Sequence, residues 1–265
     1  MRDILIFENP WLLLPLLVLF VMVHGAKSMR LYLIVIDEKI PFARFLLLYC
    51  VTTLVNLIVP FKLGEFFRIF VFTKATKSFR VGFLSVLLDR FFDTVALVLI
   101  LLPFELLKGG TVSDSTLLLA AFVVVSVFAY VSFLSFYTYL NRYLIMNRTS
   151  GGAMMSLRFL ELMRAGYNYV RRLIHGRYAL LVIFSFVAWL LECGILFLLS
   201  KASGLAGLDF SAYIQSIIST ATTPLMSRYV KISILLMALF TVITLAVCLM
   251  KQSLFAKKSA PEKTI

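Results

Sequence analysis

The sequence is poor in what a soluble enzyme needs. Charged residues make up 15% of its 265 positions, and no polar interval is long enough to fold as a sizeable soluble domain. Histidine occurs twice, at His24 and His175, far apart. Cysteine occurs three times, at Cys50, Cys193 and Cys248, each inside an apolar run and none at metal-ligand spacing. These absences argue against a metal centre, a disulfide framework and a Cys–His nucleophile; we expect no metal and no cofactor. No Walker sequence is present, so any transport is expected to be passive, or coupled to an ion or proton through Glu65, Asp89 or Asp93. Acidic residues are also scarce, 13 against 26 lysines and arginines.

Apolar residues are abundant. They make up 62% of the chain, and the mean hydropathy is +0.99. Long apolar runs recur along nearly the whole length. We therefore expect an all-α, polytopic helical membrane protein, with one integral domain over residues 1–250 and a basic cytoplasmic tail over 251–265. The formal charge of +13 then reflects positive-inside loops and anionic lipid headgroups, not nucleic acid.

Five full spans are expected: Pro10 to Gly25, Val81 to Leu107, Thr116 to Leu140, Ala179 to Ser200 and Ile232 to Met250. The first is read as a retained span, since its Met-Arg-Asp start is scarcely basic and no clean small-x-small cleavage site follows. Lys27 to Ile40 mixes charge with apolar residues and reads as an interfacial elbow. Asn141 to Tyr178 holds seven arginines and one acid, Glu161. Its polar residues recur at three- and four-residue steps, which predicts an amphipathic helix on the membrane surface, with Arg158, Arg164, Arg171 and Arg172 toward anionic headgroups.

Two segments are broken. Phe45 to Phe61 is uncharged, but Asn56, Pro60, Lys62 and Gly64 interrupt it, and about ten residues more cover only half a bilayer. The basic intervals 27–44, 62–80, 141–178 and 251–263 share one side only if this segment is a re-entrant hairpin. The N-terminus then lies outside and the C-terminus is cytoplasmic. The same parity makes Asp209 to Met226 a second hairpin, broken at Thr223-Pro224. Paired broken segments of this kind point to a midplane transport site.

The ionisable residues at membrane depth mark the candidate site, because each costs a few kcal/mol unless it faces a partner or a cavity. They are Glu65, Arg68, Asp89, Arg90, Asp93 and Glu192. Glu65 and Arg68 share a helix face, as do Arg90 and Asp93. The plainer reading is a set of ion pairs that lock the helices. The functional one gives Arg68 and Arg90 to a lipid phosphate, oriented by Glu65 and Asp93, with Asn56 bonding backbone freed by Pro60.

The pattern Asn56-x3-Pro60-x3-Gly64-Glu65-x2-Arg68, followed by Asp89-Arg90-x2-Asp93, resembles the lysylphosphatidylglycerol synthase transmembrane-region family, the flippase-like domain. Trp189-Leu190-Leu191-Glu192, then Ala202-Ser203-Gly204, resembles that family's later span. The second broken segment departs from the pattern: Pro224 has no Gly-Glu pair after it, and Arg228 and Tyr229 stand there instead. The resemblance implies movement of an aminoacylated phospholipid or a polyprenyl-phosphate-linked carrier between leaflets of the cell membrane. A non-transporting, lipid-binding accessory subunit of a cell-envelope synthase is the alternative, with a partner synthase or a second copy as company. The aminoacyl-transferase domain of fused members has no counterpart in these residues, so lysyl transfer is not expected.

Overall fold

The computed structural model describes residues 11, 13–59, 63–109, 112–147, 151–202 and 224–258. Among them there are helices and turns and no strands. We number the helices α1 (Leu13–Val35), α2 (Phe42–Ile58), α3 (Leu63–Thr76), α4 (Phe79–Gly109), α5 (Asp114–Asn147), α6 (Gly151–Ile174), α7 (Tyr178–Ala202) and α8 (Pro224–Lys258). A 3-10 turn, Ile36–Glu38, follows α1. The chain forms two compact units: residues 1–86 with 187–265, and residues 87–186. Helices α4 and α7 each run without a break from one unit into the other.

Four helical stretches are long and apolar enough to cross a bilayer: Leu14–Glu38, Asp114–Met146, Tyr178–Ser200 and Tyr229–Met250. Helix α4 is longer than a span needs but carries Asp89, Arg90, Asp93 and Glu105. Helix α5 shows why the fold requires a membrane. None of its span-length window is buried by protein, and Phe122, Val125, Phe128 and Val131 lie exposed along it. Only lipid can cover a helix that is apolar all round.

The structure corrects three sequence boundaries. The expected elbow at Lys27 to Ile40 does not form; α1 continues through it to Val35. Its charges survive inside a span because they face protein: Arg30 is 1% exposed, and Lys27 meets Glu192. Residues 141–147 belong to α5, so the amphipathic helix starts at Gly151. Helix α8 starts at Pro224, where a proline's missing N–H costs nothing. The tail begins as helix, since α8 runs on to Lys258. Residues 203–223, with most of the second expected hairpin and Thr223, lie outside the described residues.

In the first unit, α2 packs chiefly on α8 and α3. Helices α2 and α3 have 17 and 14 residues, about 25 and 21 Å, so each alone is shorter than the hydrocarbon. Their packing against one another gives the helical hairpin that the interrupted apolar run predicted. In the second unit α6 lies against α5 through stacked rings, with Tyr167 5.0 Å from Tyr130 and 4.9 Å from Phe133. Gly176, at φ 85°, makes the turn from α6 to α7 that an L side chain resists.

Candidate functional site

The hairpin is closed by a glycine. A Cβ on Gly64 would lie 2.4 Å from the Asn56 Cα, so only hydrogen allows α2 and α3 to cross this closely. The crossing puts Asn56 Nδ2 3.2 Å from Glu65 Oε1, to which it donates. A second glycine repeats the device on α4: a Cβ on Gly82 would meet Thr73 Oγ1 at 2.3 Å and the Thr73 amide at 2.7 Å. Helix α3 is thus in near-backbone contact with both its sequence neighbours. Pro60 and Lys62, between α2 and α3, lie outside the described residues.

One turn beyond Glu65, Arg68 turns inward and is 5% exposed. Its guanidinium lies 5.6 Å from the centroid of the Tyr49 ring on α2. The Tyr49 hydroxyl is 3.0 Å from His24 Nδ1 on α1, and the His24 ring packs on Phe20 at 4.3 Å.

Lys27 follows His24 by one turn. Its ammonium is 2.5 Å from Glu192 Oε2 and lies 5.7 Å from the centre of the Trp189 ring. Tyr229 donates its hydroxyl to the other carboxylate oxygen, Glu192 Oε1, at 2.6 Å. Glu192 therefore ties α1, α7 and α8 together. The Trp189 indole N–H is buried and has no hydrogen-bond partner among the described residues.

The first unit thus buries Arg30, Arg68 and Glu192, with Lys27 and Glu65 half-buried. Arg30, Arg68 and Lys27 place three cations in an apolar surrounding, where a charge is felt more strongly than in water. Their donors suit phosphate: a guanidinium fork, an ammonium and an unused indole N–H.

Asp89, Arg90 and Asp93 fall in the second unit as a trio on one face of α4. Arg90 is 3.4 Å from Asp93 and 3.7 Å from Asp89, so it separates two carboxylates one turn apart. Asp89 is buried, whereas the Arg90 side chain is 45% exposed. On α6, Arg158, Arg171 and Arg172 are exposed. Arg164 instead donates to the Tyr137 hydroxyl on α5 at 3.2 Å and lies 4.9 Å from the centre of that ring.

Sequence reading picked out Asn56, Gly64, Glu65, Arg68 and Glu192 and missed His24, Lys27, Arg30, Tyr49 and Tyr229. Lys27 and Arg30 were assigned to an interfacial elbow. Their spacing from Phe20, Val23 and Leu31 on one helical stripe was the available signal. Glu105 was missed as well. It is buried at the end of α4 and accepts from the Ser113 amide at 2.9 Å, the Ser113 hydroxyl at 2.8 Å and the Thr116 hydroxyl at 3.0 Å.

The family model described as the lysylphosphatidylglycerol synthase TM region matches residues 3–227. No curated protein and no solved structure matches the chain.

Proposed function

This chain belongs to the lysylphosphatidylglycerol synthase transmembrane-region family, and from that premise we propose that it carries a phosphate-bearing lipid between the leaflets of the cell membrane. Family membership makes it a membrane protein linked to lipid biosynthesis or flipping. The finer reading is supported by the cation-rich polar cluster held among apolar helices in the first unit, with Arg68 at its centre. A lipid headgroup crosses a bilayer only if polar groups at depth replace its water, while the tails stay in hydrocarbon. A guanidinium such as that of Arg68 suits phosphate through its planar fork of donors, and the Tyr49 ring lies beneath it.

The carrier class is an aminoacylated phospholipid or a polyprenyl phosphate. The basic intervals favour an orientation with the C-terminus in the cytoplasm. On that reading α6 lies in the interface, its Met155, Phe159 and Leu162 toward acyl chains and Arg158, Arg171 and Arg172 toward anionic headgroups.

The test is reconstitution in liposomes holding headgroup-labelled aminoacyl-phosphatidylglycerol or polyprenyl phosphate, with outer-leaflet accessibility followed in time. Exchange by the native chain, and its loss in Arg68→Ala, is the expected result. Equal exchange by a correctly inserted Arg68→Ala would falsify the role given to Arg68. No exchange of any lipid by the native protein would favour a lipid-binding accessory subunit.

A further inference from the structure

Glu192 and a lipid phosphate make the same demand on the chain. Each is an anion at membrane depth in need of a cation, and Lys27 is the cation placed between them. In the structure Lys27 is given to Glu192. Yet Lys27 also follows His24 by one turn, and His24 leads through the Tyr49 hydroxyl to the face of the ring that carries Arg68. Lys27 is the wetter partner of its pair, 22% exposed against 9% for Glu192, and its stem has four rotatable carbons. Glu192 is the fixed partner, since Tyr229 holds its second oxygen. The buried Trp189 N–H beside Lys27 has no acceptor among the described residues, and buried donors rarely go unused.

We infer that Lys27 is shared between Glu192 and the phosphate of the bound lipid, and that Glu192 takes up one proton when Lys27 changes partner. The inference rests on the lipid-carrying reading above and adds its coupling ion. In the empty state Glu192 is ionised and paired with Lys27. On loading, a proton from water joins the Glu192 oxygen that faced Lys27, while Tyr229 goes on donating to the other. The Lys27 ammonium and the Trp189 N–H then turn to phosphate oxygens beside Arg68. One negative charge and one proton enter together, so the total charge of the cluster is the same loaded and empty. That spares the bilayer interior an uncompensated charge. Phosphate-bearing headgroups would thus move with a proton, and a proton gradient would drive them.

Glu192 is the group invoked. The titratable and charged groups facing it among the described residues are Lys27 from α1 and Tyr229 from α8, with Cys193 next to it on α7. His24 stands one turn behind Lys27 on α1.

The experiment titrates the purified full chain in detergent with dioleoylphosphatidylglycerol as the probe. Calorimetry in buffers of different ionisation enthalpy counts protons taken up per lipid bound, over a range of pH. The native chain should take up about one proton, and its affinity should weaken up to tenfold per pH unit as pH rises through the coupled range. Glu192→Gln, which carries the neutral form permanently, should bind with no proton uptake, at the affinity the native chain shows at low pH, whatever the pH. Lys27→Gln, which should fold even if Glu192→Gln does not, should bind more weakly and also without uptake. Native binding without proton uptake, or uptake that persists in either variant, overturns the inference. Uptake without headgroup exchange in liposomes leaves the coupling standing and removes translocation. Exchange without uptake does the reverse, and absence of lipid binding sinks both.

Discussion

Gly64→Ala adds one carbon and should disable the hairpin. The new Cβ would sit 2.4 Å from the Asn56 Cα and 2.9 Å from its Cβ. Ordinary contact begins about 1 Å further out, and the first of these atoms is backbone that no rotamer change can move. Helices α2 and α3 must therefore separate by about 1 Å at their crossing. Overpacking of this kind costs about 1–3 kcal/mol. The same movement stretches the 3.2 Å bond from Asn56 to Glu65 beyond hydrogen-bonding range and shifts Arg68, one turn on, against Tyr49. We expect a lower midpoint of thermal unfolding in detergent and loss of most headgroup exchange. Gly25→Ala is the control, because nothing lies within 4 Å of its Cβ position, and it should leave both unchanged. If Gly64→Ala unfolds at the native midpoint, as Gly25→Ala should, the close crossing is not what holds the hairpin.

Glu105→Ala deletes the acceptor of three hydrogen bonds, leaving the Thr116 hydroxyl buried and the Ser113 donors half-buried, a loss of about 1–3 kcal/mol; a midpoint equal to the native one in a thermal melt would refute the clasp. Arg164→Ala removes both the bond to the Tyr137 hydroxyl and the stacked guanidinium, so amide exchange along α6 should quicken, while Arg158→Ala on its exposed side leaves α6 exchange as it was.

Where one physical rule governs a segment, the chain could be read directly. The apolar runs of α5, α7 and α8 announce spans because nothing but lipid could cover them. The glycine and proline between Asn56 and Arg68 announce a hairpin because a helix cannot pass through them undisturbed. Lys27 and Arg30 defeated the reading because charge near the end of a short apolar run ordinarily marks an interface. The partner of Lys27, Glu192, comes from 165 residues away, and no local pattern announces such a pairing. Tyr229 was noticed only as a departure from an expected Gly-Glu pair. In the fold it holds the carboxylate that α7 supplies. Glu105 sat at the edge of an apolar run and looked like its exit, while its true partners wait across the turn in Ser113 and Thr116.

The clasp at Glu105 also bears on how the chain enters the membrane. Synthesis delivers α4 before α5, and within α4 the charged Asp89, Arg90, Asp93 and Glu105 resist insertion, by about 2.5–3.5 kcal/mol for an Asp or Arg near a helix centre. Arg90 offsets part of this by pairing with Asp89 and Asp93, but Glu105 finds its donors only when the start of α5 has been made. Helix α5 is also uncharged from Thr116 to Leu140, and it supplies the insertion energy α4 lacks. The two would leave the translocon as a pair, with α4 held back at the channel until the first turn of α5 closes on Glu105.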